Sequence, residues 1–183
     1  ECPIKKSFLK DDNYIANKDS EIVIVDLPGA YSMSPFTNEE SVTSTYVKNE
    51  NPDVIINIVD ATNLSRSLFF TTQLLELGIP MVIALNKSDI NEKKKTEIDE
   101  KVLAKELGCP VVKTISTSSE GLNELINPAM SVIGKEQKSP YVQADINLND
   151  KEAVTEEDKK RFAFVNGVVV KVESRKIKKK DKN

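Results

Sequence analysis

Histidine is absent from this 183-residue chain. That removes the usual neutral-pH general base and the commonest metal ligand. Cysteine is scarce. Cys2 and Cys109 stand far apart and form no Cys-x-x-Cys, so they define no disulfide framework and fit a reducing compartment. No apolar run approaches the roughly 18 to 20 residues needed to span a bilayer, and no signal peptide is visible. The first residue is Glu rather than Met, so a piece of a longer or processed protein is expected. Net charge is only −3, which gives no global signal for nucleic acid or membrane. One further gap is specific: the chain holds no Gly-x-x-x-x-Gly-Lys-Ser/Thr phosphate loop.

What is present suits a soluble globular domain, at 39% hydrophobic and 30% charged residues. Short β-branched and apolar runs at 21–25, 54–59, 81–85 and 111–115 read as strands. Helical patterns lie between them. Thr37 and Glu40 form a capping box for a helix to about Asn49. Asn63 or Ser65 caps a second, whose Leu68, Phe69, Thr72 and Leu75 recur at helical spacing before Gly78-Ile79-Pro80 stops it. A third is expected over 93–107 and a fourth over 122–133. Strands alternating with helices predict a parallel sheet with helices on both faces. Residues 4–20 are polar, with room for a short edge strand, and 29–37 read as a loop. After Gly134 the composition changes. Residues 135–150 read as a linker, and a helix starting near Thr155 carries the stripe Phe162, Val165, Val169 and Val172. A strand over 168–172 is the competing reading. Residues 171–183 hold seven Lys/Arg against two acids.

Two motifs sit where strands are expected to end. Asp26-Leu27-Pro28-Gly29 follows Glu21-Ile22-Val23-Ile24-Val25, and Asn86-Lys87-Ser88-Asp89 follows Met81-Val82-Ile83-Ala84-Leu85. Each run is read as a buried parallel strand, and strand ends are where ligands bind in α/β sheets. The first motif is a DxxG box. A carboxylate suits a hard cation, and glycine allows close backbone approach to a phosphate. Alone, DxxG is a weak signal, more often an ordinary Asp-Pro-Gly turn after a strand. The second motif is an NKxD box and is more specific. A carboxylate at Asp89 can accept both N1–H and the 2-amino group of guanine, a donor pattern adenine does not offer. Lys87 can lay its aliphatic stem over the base while Asn86 ties neighbouring loops together. Ser116-Thr117-Ser118-Ser119 follows the fourth strand, as a turn and cap or as a source of N–H groups for the guanine carbonyl.

The segment Asp26-Leu27-Pro28-Gly29-Ala30-Tyr31-Ser32-Met33-Ser34-Pro35 resembles the DLPG-x-YS-x-SP stretch of the cytosolic G domain of the FeoB family of prokaryotic ferrous-iron transporters. Asn57-Ile58-Val59-Asp60-Ala61-Thr62-Asn63-Leu64 and Gln73-Leu74-Leu75-Glu76-Leu77-Gly78-Ile79-Pro80 are similar to the same family, and Arg161 to Val172 more faintly to its helical domain. FeoB domains often carry Asn-Met-x-Asp at the base-reading box, where this chain has Lys87. The resemblance implies a P-loop-GTPase-like α/β fold missing its N-terminal strand and phosphate loop. It divides the chain into a partial guanine-nucleotide-binding domain over 1–134 and a linker with part of a small helical domain over 135–183.

The resemblance further implies GTP/GDP and Mg²⁺ as ligands. Asn86, Lys87, Asp89, Ser116 and Thr117 would meet guanine. Asp26 would reach Mg²⁺ through water, and Gly29 would meet the γ-phosphate. No catalytic residue is assigned, because Gly29 is followed by Ala30 rather than a water-orienting glutamine. The implied partner is a transmembrane iron-permeation domain of the same parent chain. The location is the cytoplasmic face of the prokaryotic inner membrane, with Lys176, Lys178, Lys179 and Lys180 beside it, although a solvated terminus explains that tail equally well. No nucleic-acid partner is expected, and an oligomer is left open. A nucleotide-blind interaction module and a soluble RNA- or ribosome-associated GTPase are the rival readings.

Overall fold

The computed structural model describes residues 2–3, 22–29 and 38–175. The possible edge strand in 4–20, the body of the loop at 30–37 and the basic tail beyond Arg175 lie outside the described residues.

The centre of the fold is a three-stranded parallel sheet in the order β3 (Ile55–Asp60), β4 (Met81–Asn86), β6 (Val111–Thr114). In β4, Met81 through Leu85 are each at most 3% exposed, as an apolar strand covered on both faces must be. Alternate side chains take opposite faces. Met81, Ile83 and Leu85 join the larger core with Leu68, Leu75 and Leu103, whereas Val82 and Ala84 pack against Leu125, Ala129 and Val132. The first face is covered by α2 (Leu64–Leu75), α4 (Glu100–Leu107) and α6 (Lys151–Val172), the second by α5 (Leu122–Val132). β3 is covered unevenly: Val59 is fully buried and its neighbour Ile58 is 71% exposed.

The stop signals act where expected. Gly78 takes φ 72° just past α2, and Gly108, also at φ 72°, caps α4. The first helix, α1 (Asn38–Glu50), ends before Asn51-Pro52.

Three expectations are corrected. The single helix over 93–107 is instead α3 (Ser88–Lys93), a short strand β5 (Thr96–Ile98) and α4. Lys95 turns to φ 59°, and Asp99 caps α4 by accepting from the N–H groups of Lys101 and Val102, both at 3.0 Å. The β-branched Thr96 and Ile98 then pair antiparallel with β7 (Glu173–Arg175), a partner far along the chain. The run at 21–25 is not a buried parallel strand. Among its described residues only β2 (Val23–Ile24) is strand, pairing antiparallel with β1 (Cys2–Pro3), and Ile24 is 38% exposed. Among the described residues no strand hydrogen-bonds β2 to the parallel sheet, so its backbone groups are paired in a ribbon of their own. The C-terminal helix begins earlier than expected, at Lys151, capped by Asp150. It remains helical to Val172, with strand only after it.

Helix α6 is fastened to the sheet by apolar and polar contacts together. Val165, Val168 and Val172 enter the main core. One turn earlier the fully buried Arg161 bonds Thr72 Oγ1 at 3.1 Å and Gln143 Oε1 at 3.0 Å, and pairs with Glu76 at 2.6 Å. Its guanidinium also lies 4.7 Å from the centre of the Tyr141 ring. Tyr141 donates to Glu157 at 2.6 Å, and the Gln143 N–H donates to Glu76. A buried charge persists only when paired and hydrogen-bonded in this way. The cluster locks the segment around 141–144 and α6 onto α2, and so onto the sheet edge that α2 follows.

Candidate guanine-reading edge

The ends of β3, β4 and β6 meet at one edge of the sheet. Register fixes this, because Asp60 lies opposite Asn86 and Asn86 opposite Thr114. Asn86 ties the β4 loop to the loop after β6. Its Oδ1 accepts from the Ser116 N–H at 3.1 Å, and its Nδ2 donates to Ser116 Oγ at 3.2 Å. Thr117 is exposed on the same loop. Lys87 adopts φ 62°, the left-handed region, and its ammonium meets the Asp60 carboxylate at 2.6 Å. Ser88 is buried and donates to the Leu85 carbonyl at 2.8 Å, closing the turn into α3. Asp89 stands in the first turn of α3, about a third exposed, with Lys93 3.5 Å away. Asn91, on the same helix, donates to the Ala61 carbonyl at 2.6 Å, which ties α3 to the turn after β3.

Asn86, Lys87, Asp89 and Ser116 are thus gathered by two adjacent strand ends and a pair of bonds between loops. Asp26 and Gly29 lie elsewhere in the topology, after the β1–β2 ribbon, and both are exposed. The described bond that holds their segment is from Thr43 Oγ1 of α1 to the Pro28 carbonyl, at 3.0 Å.

The electrostatics of the edge centre on Asp60. Partial burial raises its carboxyl pKa, but the hydrogen bonds from Lys87 and Thr62 outweigh burial and hold it below its ordinary value. The carboxylate is therefore charged at neutral pH. In the sequence Asp60 stands out only as part of the family-like stretch Asn57 to Leu64, with no site role. The signal that it shares an edge with Lys87 is that the apolar runs 54–59 and 81–85, expected to lie in one parallel sheet, end beside them. Cys109 is no candidate nucleophile: it is buried, and burial pushes its thiol up to about 12.

The donors present fit a guanine base, since Asp89 offers an accessible carboxylate on a loop held from both sides. For Mg²⁺ the fit is thinner. Asp26 supplies one exposed carboxylate, and among the described residues no group of three or more Cys, Asp or Glu could hold a metal ion alone. Phosphate oxygens and water would have to complete such a shell.

The family described as ferrous iron transport protein B matches residues 8–129. The Fe(2+) transporter FeoB of Salmonella typhimurium is 42% identical over 120 residues, which cover 63% of this chain and 16% of the relative. The Escherichia coli K12 transporter of the same name is 39% identical over 120 residues, with the same coverage. The chain thus spans about one sixth of the length of these curated relatives. Among solved structures, a mutant of S. thermophilus NFeoB bound to GDP superposes with a TM-score of 0.70 at 27% identity, covering 86% of this chain and 83% of that one. The cytosolic domain of T. maritima FeoB in its GMPPNP form gives a TM-score of 0.73 at 22% identity, covering 87% and 83%. The chain belongs to the ferrous iron transport protein B family, and its α/β unit has the fold of that family's cytosolic G domain.

Proposed function

We propose that this chain is the guanine-nucleotide-binding regulatory part of a ferrous-iron membrane transporter, coupling GTP binding and hydrolysis to Fe²⁺ uptake. We further infer that residues 1–183 by themselves read the base but hold phosphate weakly. The observation that carries the reading is the bonded pair of loops at the sheet edge, with Asn86 clamped on Ser116 and Asp89 left accessible beside it.

Asp89 accepts the N1–H and 2-amino donors of guanine, at about 1.5–3 kcal/mol for each charge-assisted bond. Adenine leaves the carboxylate unpaired, so discrimination is strong. Lys87 covers the face of the base, and backbone N–H groups of Ser116 and Thr117 meet the guanine carbonyl. Gly29 N–H meets the γ-phosphate, and Asp26 binds Mg²⁺ through water. Mg²⁺, where bound, neutralises phosphate charge. The phosphate side is weak because no Gly-x-x-x-x-Gly-Lys-Ser/Thr loop occurs in these residues, and such a loop supplies most phosphate contacts.

Residues 1–134 form the base-reading domain, and 135–183 a linker with part of a helical domain. Iron is the cargo of the whole protein and the partner is its transmembrane iron-permeation domain, which places this chain on the cytoplasmic face of the prokaryotic inner membrane. Relatives named as Fe(2+) transporters support this. No helix of the described residues is long and apolar enough to cross a membrane. The test is titration with fluorescently labelled GDP and ADP. GDP is expected to bind at least tenfold more tightly, and Asp89→Asn to shrink that preference, because an amide presents one acceptor and one donor group. Equal affinities in the unmutated chain would remove the guanine assignment.

A further inference from the structure

Lys87 is held in a conformation that needs an explanation. A non-glycine residue in the left-handed region costs of order 1–3 kcal/mol and persists only where its surroundings over-determine it. Its neighbours are fixed, Asn86 by Ser116 and Ser88 by the Leu85 carbonyl. Its own side chain reaches the end of the adjacent strand, where the ammonium meets Asp60 Oδ2 at 2.6 Å.

Asp60 is itself fixed before Lys87 arrives. Its Oδ1 accepts from the Thr62 N–H at 2.9 Å and from Thr62 Oγ1 at 2.6 Å. Its own N–H donates to Ser67 Oγ at 3.2 Å. The next carbonyl, of Ala61, receives Asn91. One carboxylate oxygen thus belongs to the turn and the other faces the ammonium. The two side chains are 48% and 33% exposed for Lys87 and Asp60, so the pair contributes little to stability by the measure of exposed ion pairs. A rigid acceptor of small energetic worth at a binding edge is better explained by placement than by folding.

We propose that Asp60 is a positioning residue of the guanine site. It anchors the Lys87 ammonium at the end of β3, which stretches the four-carbon stem between two strand ends as the apolar shelf on which the purine ring lies. The inference rests on the guanine reading above and adds a residue that acts through Lys87 without touching the nucleotide. A methionine at position 87 would offer a similar apolar stem with no need of an anchor, so the role of Asp60 depends on lysine being there.

The test is a double-mutant cycle on this chain, with Asp60→Asn, Lys87→Met and the pair together. Guanosine and GDP affinities are read by NMR titration, and folding by the thermal midpoint. Asp60→Asn is expected to weaken guanosine binding roughly threefold to tenfold, the range of a directly coupled pair, with the thermal midpoint nearly unchanged. In the Lys87→Met background the same substitution is expected to change nothing. Asp60→Glu, which keeps a carboxylate one methylene further out, should retain more affinity than Asp60→Asn. Undiminished binding in Asp60→Asn, or an equal loss in both backgrounds, would overturn the positioning role while leaving the guanine reading intact. Absence of guanosine binding by the unmutated chain would overturn both.

Discussion

The two motifs of this chain stand on foundations of different kinds. The Asn86–Asp89 loop follows a strand with parallel neighbours on both sides, buried on both faces and backed by three helices on one of them. The Asp26–Gly29 segment follows a two-residue strand that, among the described residues, pairs only in a two-stranded ribbon, with Ile24 38% exposed. The first loop is cross-tied by Asn86–Ser116, Lys87–Asp60 and Ser88–Leu85, the second by one described bond from Thr43. The proposed base-reading half is therefore organised by the fold itself. Among the described residues, the proposed phosphate-sensing half draws little of its order from that sheet.

The largest effect expected is from removing the scaffold beneath the ordered half. Arg161→Ala leaves Glu76 and Gln143 without their buried partner, and should cost about 3–5 kcal/mol in a denaturant unfolding titration. Arg161→Met, which refills the space without a charge, should cost less. If Arg161→Ala left the midpoint unchanged, the fastening of α6 to α2 would not underlie the stability of the edge.

A sharper comparison comes from two glycines. Gly121, at φ 78°, precedes α5, and a Cβ there would lie 2.1 Å from the Lys113 carbonyl oxygen of β6. Gly29 has nothing within 4 Å of the equivalent point. Gly121→Ala should destabilise by well over 1 kcal/mol, because both the conformation and the space are wrong. Gly29→Ala should stay within about 0.5 kcal/mol, as substitutions away from such constraints do. Equal costs for the two would erase the difference between the regions.

Much of this contrast was legible in the sequence, and the misses have physical causes. The strands 54–59, 81–85 and 111–115 announce themselves as apolar runs, the last two opened by the helix stops Gly78-Ile79-Pro80 and Gly108-Cys109-Pro110, and they differ from the observed strands by at most one residue at either end. The NKxD box therefore sat where a strand end places it. The strand Thr96–Ile98 was hidden because its partner, Glu173–Arg175, is remote in sequence and no local pattern encodes the pairing. The run at 21–25 has the composition of a buried strand, yet burial depends on neighbours that composition does not reveal. No local pattern marks Arg161 as buried. Only the fold brings Glu76, Thr72, Gln143 and Tyr141 around it.

A smaller effect is expected at alkaline pH. Burial, and then the bond to Glu157, raise the Tyr141 phenol to about 12. The neutral phenol is favoured in the folded chain. Its contribution should be complete below about pH 10, the ordinary tyrosine value, and be lost as pH rises toward about 12. Thermal midpoints measured across that window should fall, and fall less steeply in Tyr141→Phe. A variant as steep as the unmutated chain would show that Tyr141 is not responsible.

The most direct test of the central claim, a base reader whose phosphate half is weak, is to titrate this chain in parallel with guanosine, GDP and ADP. The account predicts that guanosine and GDP bind within about tenfold of one another, a difference of no more than about 1.4 kcal/mol, and that ADP binds far more weakly than either. GDP exceeding guanosine by about a thousandfold, or ADP matching GDP, would contradict it.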